Sequence, residues 1–287
     1  MPTFETSSPI SVSLDLIAAD VDVTASDRTD TVVTVRPAND SEASRRAAEQ
    51  TTVAYRSGKL TIKTPKPRRS LFSRGRSAEE ERDSTIAVAI EVPAGSDLSG
   101  EAALGYLTGR GRLGECRFTS ACGNVQLEQT AGLRVEAALG DVNVGRVTGT
   151  AEITATQGNL KIDLIEGSAR IKNLSGMTAL GDVTGELRVT ATNGEVSVGR
   201  AFGDVTAKNT NGDIYLGEVA RGEIVLETSR GSIGVGVPAG VAARLDARSL
   251  VGGVYSALED TDTPDEAAAT VQLRTRTVMG EIRIHRA

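Results

Sequence analysis

Residues Leu187–Leu216 read LRVTATNGEVSVGRAFGDVTAKNTNGDIYL, and this stretch holds the same phrase twice. Leu187, Val189 and Ala191 alternate with polar residues before Gly194, and Val196 and Val198 alternate after it. Val205 and Ala207 precede Gly212 in the same way, and Ile214 and Leu216 follow it. Apolar residues two apart are the period of a half-buried β-strand, so each phrase encodes two short strands with a glycine corner between them. Working outward, the corner glycine returns at 123, 140, 158, 176, 194, 212 and 231, in steps of 17 to 19 residues. A second series, at 114, 132, 149, 167, 185, 203 and 222, keeps the same period. Self-similarity at a fixed period of this size is the signature of stacked structural repeats.

Aligned on the corner glycine, the apolar positions form columns. Position −7 carries Cys116, Leu133, Ala151, Ala169, Leu187, Val205 and Ile224, and positions −5, +2 and +4 are similarly aliphatic. Position −3 is small or amide-bearing (Ser120, Ala137, Ala155, Asn173, Ala191, Asn209, Thr228), which suits a tight inward corner. One strand pair cannot bury its apolar face alone, whereas stacking coils about 4.8 Å apart sets each column on itself. The expected fold is therefore all-β: a parallel β-solenoid of coils of about 18 residues, regular over 99–236. Beyond 236 the spacing lengthens to 21 (Gly252) and then 28 (Gly280), with an acidic stretch, Glu259 to Glu266, read as an exposed loop. The last strand ends almost at the chain terminus, so Ile282, Arg283, Ile284 and His285 are read as an open edge able to pair with a partner.

Residues 1–98 read as an N-terminal β-rich cap on the solenoid of 99–287. Alternation over 9–36 predicts strands, residues 40–50 (DSEASRRAAEQ) predict one short helix with an Asp or Ser N-cap, and Ser57-Gly58 predicts a hairpin turn. Ser84 to Val92 is a further strand, closed by Pro93-Ala94-Gly95. The charged insertion 65–83 reads as a solvated loop. Its sharper reading is an interaction hook, Arg68, Arg69, Arg74 and Arg76 around Leu71 and Phe72, aimed at an acidic partner or an anionic membrane surface.

Composition narrows the function. A net charge of −6 and 3% aromatic residues disfavour nucleic acid. The start lacks the features of a signal peptide, and no run approaches the roughly 18 apolar residues of a membrane span, so a cytoplasmic location is expected. Cys116 falls in the inward column and Cys122 at a corner, which predicts two plain thiols. His285 is the one histidine, so a His-rich metal centre is excluded, and no nucleotide-binding or zincin motif is present; no cofactor and no metal is expected. Position +1 carries Asn124, Asp141, Asn159, Glu195 and Asp213, which reads as turn chemistry, with calcium binding as the alternative. Asp182 and Asp204, one coil apart with Arg188 and Arg200 nearby, are the candidate acid/base pair for glycoside cleavage.

The phrases Val92-Pro93-Ala94-Gly95-Ser96-Asp97-Leu98 and Val237-Pro238-Ala239-Gly240, with the repeated T/S-x-x-G-D/E/N-V/I-x-V coils, resemble the DUF4097 putative-adhesin family and its toastrack β-solenoid domains. The likeness covers nearly the whole chain and carries no catalytic residue across. It implies a solenoid of bacterial origin whose relatives are tied to the cell envelope, as adhesin-like surface domains or membrane-stress partners. The leading expectation is a non-catalytic scaffold that binds a protein partner or itself through a solenoid edge. The alternatives are a carbohydrate-active β-helix enzyme and an adhesin-like surface domain.

Overall fold

The computed structural model describes residues 2–65, 83–258 and 270–287. The chain divides into two compact units, Met1–Gly145 and Arg146–Ala287. Both are built from parallel strands stacked coil on coil, the all-β solenoid that the glycine period predicts.

In the first unit, β1 (Thr3–Glu5) lies antiparallel to β3 (Asp30–Pro37), and the 16-residue β2 (Ser11–Ser26) forms a whole coil edge by itself. Next come the helix α1 (Glu42–Gln50), β4 (Thr52–Arg56), β5 (Lys59–Lys63) and β6 (Ile86–Pro93). The halves of β2 pair in parallel with β5 and β6 on one side. On the other side they pair with β7 (Asp97–Leu104) and the start of β8 (Leu107–Cys122), and β9 (Val125–Leu139) pairs in parallel with β8, with a register shift between Gly109 and Arg112. At one end of this ladder the direction reverses: β4 is antiparallel to β5, and β3 is antiparallel to β6. Those strands occupy the outward hydrogen-bonding edges of β5 and β6. The β4–β5 hairpin turns at Ser57-Gly58, where both residues take the left-handed backbone of a two-residue turn. Helix α1 starts at Ser41, whose Oγ accepts from the Ser44 amide at 3.0 Å. It is fastened to the sheet by Ser44, whose buried hydroxyl donates to the Thr85 carbonyl at 2.6 Å.

Strand β10 (Val142–Val147) spans the boundary of the two units. The second unit then repeats one coil: β11 (Ala151–Gln157) and β12 (Leu160–Ile165), β13 (Ala169–Ser175) and β14 (Thr178–Val183), β15 (Leu187–Asn193) and β16 (Val196–Ala201), β17 (Val205–Asn211) and β18 (Ile214–Val219), β19 (Gly222–Arg230) and β20 (Ile233–Val237). Each residue sits over its equivalent one coil earlier, as in Leu187 over Ala169 and Val205 over Leu187. The buried columns are those of the alignment, with one more: position +7, occupied by Ile165, Val183, Ala201 and Val219, all at most 2% exposed. Between +4 and +7 the in/out alternation slips by one. The chain bends there at Gly181, Gly199 and Gly217, where a Cβ would press on a carbonyl of the preceding coil.

Position −3 has a defined task. Asn173 Nδ2 donates to the Gly158 carbonyl at 3.3 Å, Asn209 Nδ2 to Gly194 at 2.7 Å and Thr228 Oγ1 to Gly212 at 3.0 Å. These three inward groups thus satisfy the corner carbonyl of the previous coil, whereas the buried Ser120 hydroxyl in the same column has no partner.

Beyond β20 the chain departs from its own order. Strands β21 (Ala242–Val251) and β22 (Val254–Ser256) come next in sequence, followed by β23 (Thr270–Met279) and β24 (Ile282–Arg286). In space β23 pairs with β19 on one side and β21 on the other, and β24 lies between β20 and β22. The corner contacts repeat this order: Thr277 Oγ1 donates to the Gly231 carbonyl at 2.9 Å and Ser249 Oγ to that of Gly280 at 2.8 Å. The coil of residues 270–286 is therefore inserted beneath the coil of residues 242–256. Volume accounts for the choice. The inserted coil points Val271, Leu273, Ile282 and Ile284 inward, all at most 2% exposed, whereas the outermost coil offers Ala243, Leu245, Val254 and Ser256 at the same positions. Full burial of an aliphatic side chain of this size stabilises by about 1.5–3 kcal/mol, so the bulkier coil takes the position covered on both faces.

Two substitutions test this packing. Thr275 is fully buried over Leu226, and its hydroxyl has no partner. Thr275→Val should raise unfolding stability by about 1 kcal/mol, measured by urea titration, because an unpaired buried hydroxyl is removed without loss of volume. Gly194 has φ +129, and a Cβ there would run into the Gly176 carbonyl; at Gly240, φ is +80 and nothing lies nearby. Gly194→Ala should cost more than about 2 kcal/mol and Gly240→Ala about 1–2 kcal/mol, the backbone penalty alone. Equal losses at the two sites would refute the close-approach argument.

Candidate functional site: the uncovered ladder end

The coil insertion corrects the expected edge. Ile282, Arg283, Ile284 and His285 do not form an open strand, because β24 is hydrogen-bonded into ladders on both sides. Ile282 and Ile284 are core residues. The strand at the end is β21, which pairs with β23 and, among the described residues, with nothing beyond it.

The exposure of this coil follows from its position. Leu245 stands directly over Leu273 in the −7 column, yet it is 38% exposed, against 1% for Leu273. Val254 stands over Ile282 and is 45% exposed. Around them Leu250, Val251, Tyr255, Val278 and Met279 are all exposed, with Leu250 reaching 79%. These residues form the largest group of exposed bulky apolar side chains among the described residues. A groove of about 840 Å³ lies beside them, lined by Leu250, Val254 and Val278 and by the charged residues Lys208, Glu227, Arg248 and Arg276. On the outer face of β21, Arg248 Nε donates to Asp246 Oδ1 at 3.0 Å. The site thus combines an unpaired backbone edge, an uncovered aliphatic cross-section and a charged flank.

The other candidates have local roles. The loop residues Arg68, Arg69, Leu71, Phe72, Arg74 and Arg76 lie outside the described residues, as does the acidic stretch after residue 258. The +1 position forms a backbone ladder: Asn124 Oδ1 accepts from the Asp141 amide at 2.9 Å, Asn159 Oδ1 from Met177 at 3.0 Å and Asp213 Oδ1 from Ser232 at 2.7 Å. Among the described residues no group of three or more His, Cys, Asp or Glu could hold a metal ion. Asp182 accepts from Arg200 through both oxygens, with Nε to Oδ1 at 2.9 Å, and Asp204 Oδ1 accepts from the Glu223 amide at 2.9 Å.

Cys116 and Cys122 are both free thiols, the first buried in the −7 column and the second half-buried. Burial, with a smaller contribution from the Glu115 charge, pushes the Cys116 thiol from the usual 9.0 up to about 12. Between those values the folded chain holds a proton that the unfolded chain has lost, so this group's contribution to stability falls as pH rises through that window. Stability from urea titrations between pH 8 and pH 10.5 should fall more steeply for the parent than for Cys116→Ala, by up to about 1.4 kcal/mol per pH unit. Identical slopes would contradict a protonated buried thiol.

These features define a parallel β-solenoid repeat protein, whose second unit ends, among the described residues, in an uncovered ladder edge at β21. The chain belongs to the Toastrack DUF4097 family, whose model matches residues 10–284. Among solved structures it is similar to one titled a putative adhesin from Parabacteroides merdae, at 10% identity over 99% of this chain and 94% of that one, with a TM-score of 0.38. It is also similar to a putative adhesin from Bacteroides fragilis, at 11% identity over 99% and 95% of the two chains, with a TM-score of 0.31. No curated protein matches the chain. Among the described residues no helix is long and apolar enough to cross a membrane.

Proposed function

We propose that this chain is a non-catalytic interaction module whose working surface is the uncovered ladder end at β21 and β22. The observation that carries this reading is Leu245, a residue of the core column left 38% exposed because no coil among the described residues covers it. Pairing with an added strand would satisfy the free backbone edge and bury Leu245, Val254 and Leu250 together, so main-chain and apolar contributions reinforce one another. The non-catalytic part of the reading is supported by the carboxylates of the glycosidase alternative, Asp182 with Arg200 and Asp204 with a backbone amide. Two free cysteines suit a reducing compartment, which favours the cytoplasm as the place of action.

A photo-crosslinking residue placed at Leu250 or Val254 in the full chain, expressed in its own cells, should join to an extended segment of a polypeptide identified by mass spectrometry. The same probe at Lys161, on a ladder flank, should not. Equal capture at all three sites, or capture at none, would remove the ladder end as the working surface.

A further inference from the structure

We propose that a second copy of this chain covers the open end, with β21 pairing antiparallel to β21 of the other copy across a two-fold axis at Ala247. This rests on the ladder end being the working surface and names its occupant.

Three observations lead there. The first is the supply of free edges. A head-to-tail stack would need an open parallel edge at the opposite kind of ladder end, but in the first unit the outward edges of β5 and β6 are taken by the antiparallel strands β4 and β3. Among the described strands that pair on one side only, β21 is the longest at ten residues, against five in β4 and three in β1 and β22, and two copies can each offer it to the other in an isologous, closed arrangement.

The second is charge. On the outer face β21 reads Arg244, Asp246, Arg248, with Leu250 following. With Ala247 opposite its own mate, Asp246 of each copy faces Arg248 of the other, giving two symmetric ion pairs, and Arg244 lies opposite Leu250. Opposite charges directly across an antiparallel pair stabilise it, and like charges oppose it. Shifting the axis by one residue to Asp246 would set Asp246 against Asp246 and Arg244 against Arg248, so the charges select the register.

The third is the inward face. Antiparallel pairing about Ala247 keeps odd residues opposite odd residues, so Leu245 meets Ser249 and the inward sets of the two copies face one continuous core. The exposed aliphatic cross-section of each copy then becomes the cover of the other.

Sedimentation equilibrium of the purified full chain reads this directly. The parent should associate to a dimer, and Asp246→Arg and Arg248→Asp should each weaken it by at least about tenfold, since each turns two attractive contacts into repulsive ones. The double variant, with both charges exchanged, should recover the parent affinity, because every opposed pair is opposite again. Both side chains are on the surface, and matching thermal unfolding curves would establish that the variants fold. Amide exchange within β21 should slow as the concentration rises through the dimerisation range. A monomer up to the solubility limit overturns self-pairing, as does a dimer indifferent to either charge reversal. Loss in both single variants without rescue in the double overturns the Ala247 axis. A monomeric chain that still crosslinks to a different polypeptide at Leu250 would leave the interaction module standing and sink only its self-pairing.

Discussion

In-register parallel stacking is the constraint from which the rest of the molecule follows. When each residue sits over its counterpart one coil earlier, every choice of side chain is made for a column, and a column is as good as its worst member. Inward positions must therefore be aliphatic in coil after coil, and a corner must be passable at the same place each time. The corner has a cost, because the glycine carbonyl that leaves the ladder needs a donor. Asn173, Asn209, Thr228, Thr277 and Ser249 meet that need from the −3 column, each reaching the corner of a neighbouring coil. Polar residues in a dry stack would otherwise be a liability; here they are part of the backbone accounting.

Much of this was legible in the sequence, because a period of two inside a period of 18 leaves few alternatives. Cys116 and the −7 column, the small residues at −3, the Ser57-Gly58 turn and the helix begun at Ser41 all lie where local pattern puts them. Two features were not legible, for different reasons. The +7 column of Ile165, Val183, Ala201 and Val219 is written plainly in the repeats, but it breaks strict alternation. A reading keyed to period two passes over it, and the recurrent glycine at +5 is the signal that the phase slips.

The exchange of the last two coils is a harder case. Both Gly252 and Gly280 head coils that satisfy the same columns, so local pattern cannot say which stacks first. The order is decided by comparing whole coils: Val271, Leu273, Ile282 and Ile284 lose more by exposure than their counterparts Ala243, Leu245, Val254 and Ser256 do. The widened spacing after Gly231 marks where order is lost, yet gives no direction. For that reason local pattern points to the terminal strand as the edge, although that strand is held on both sides.

That exchange also determines what the ladder end can do. Had the coils stacked in chain order, the outermost strand would have been β23, with Gln272, Arg274 and Arg276 on its outer face. Three such residues include no carboxylate, and two copies brought edge to edge would oppose like charges. With β21 outermost, the outer face carries Asp246 and Arg248 on either side of Ala247, a pair that complements itself when reversed about that residue. The coil least able to fill a core is thus the one best able to meet its own image. Placing it last leaves the bulky coil buried and leaves at the end an edge whose charges discriminate between registers. An edge of uniform sign would resist every partner alike, and an uncharged one would accept any strand.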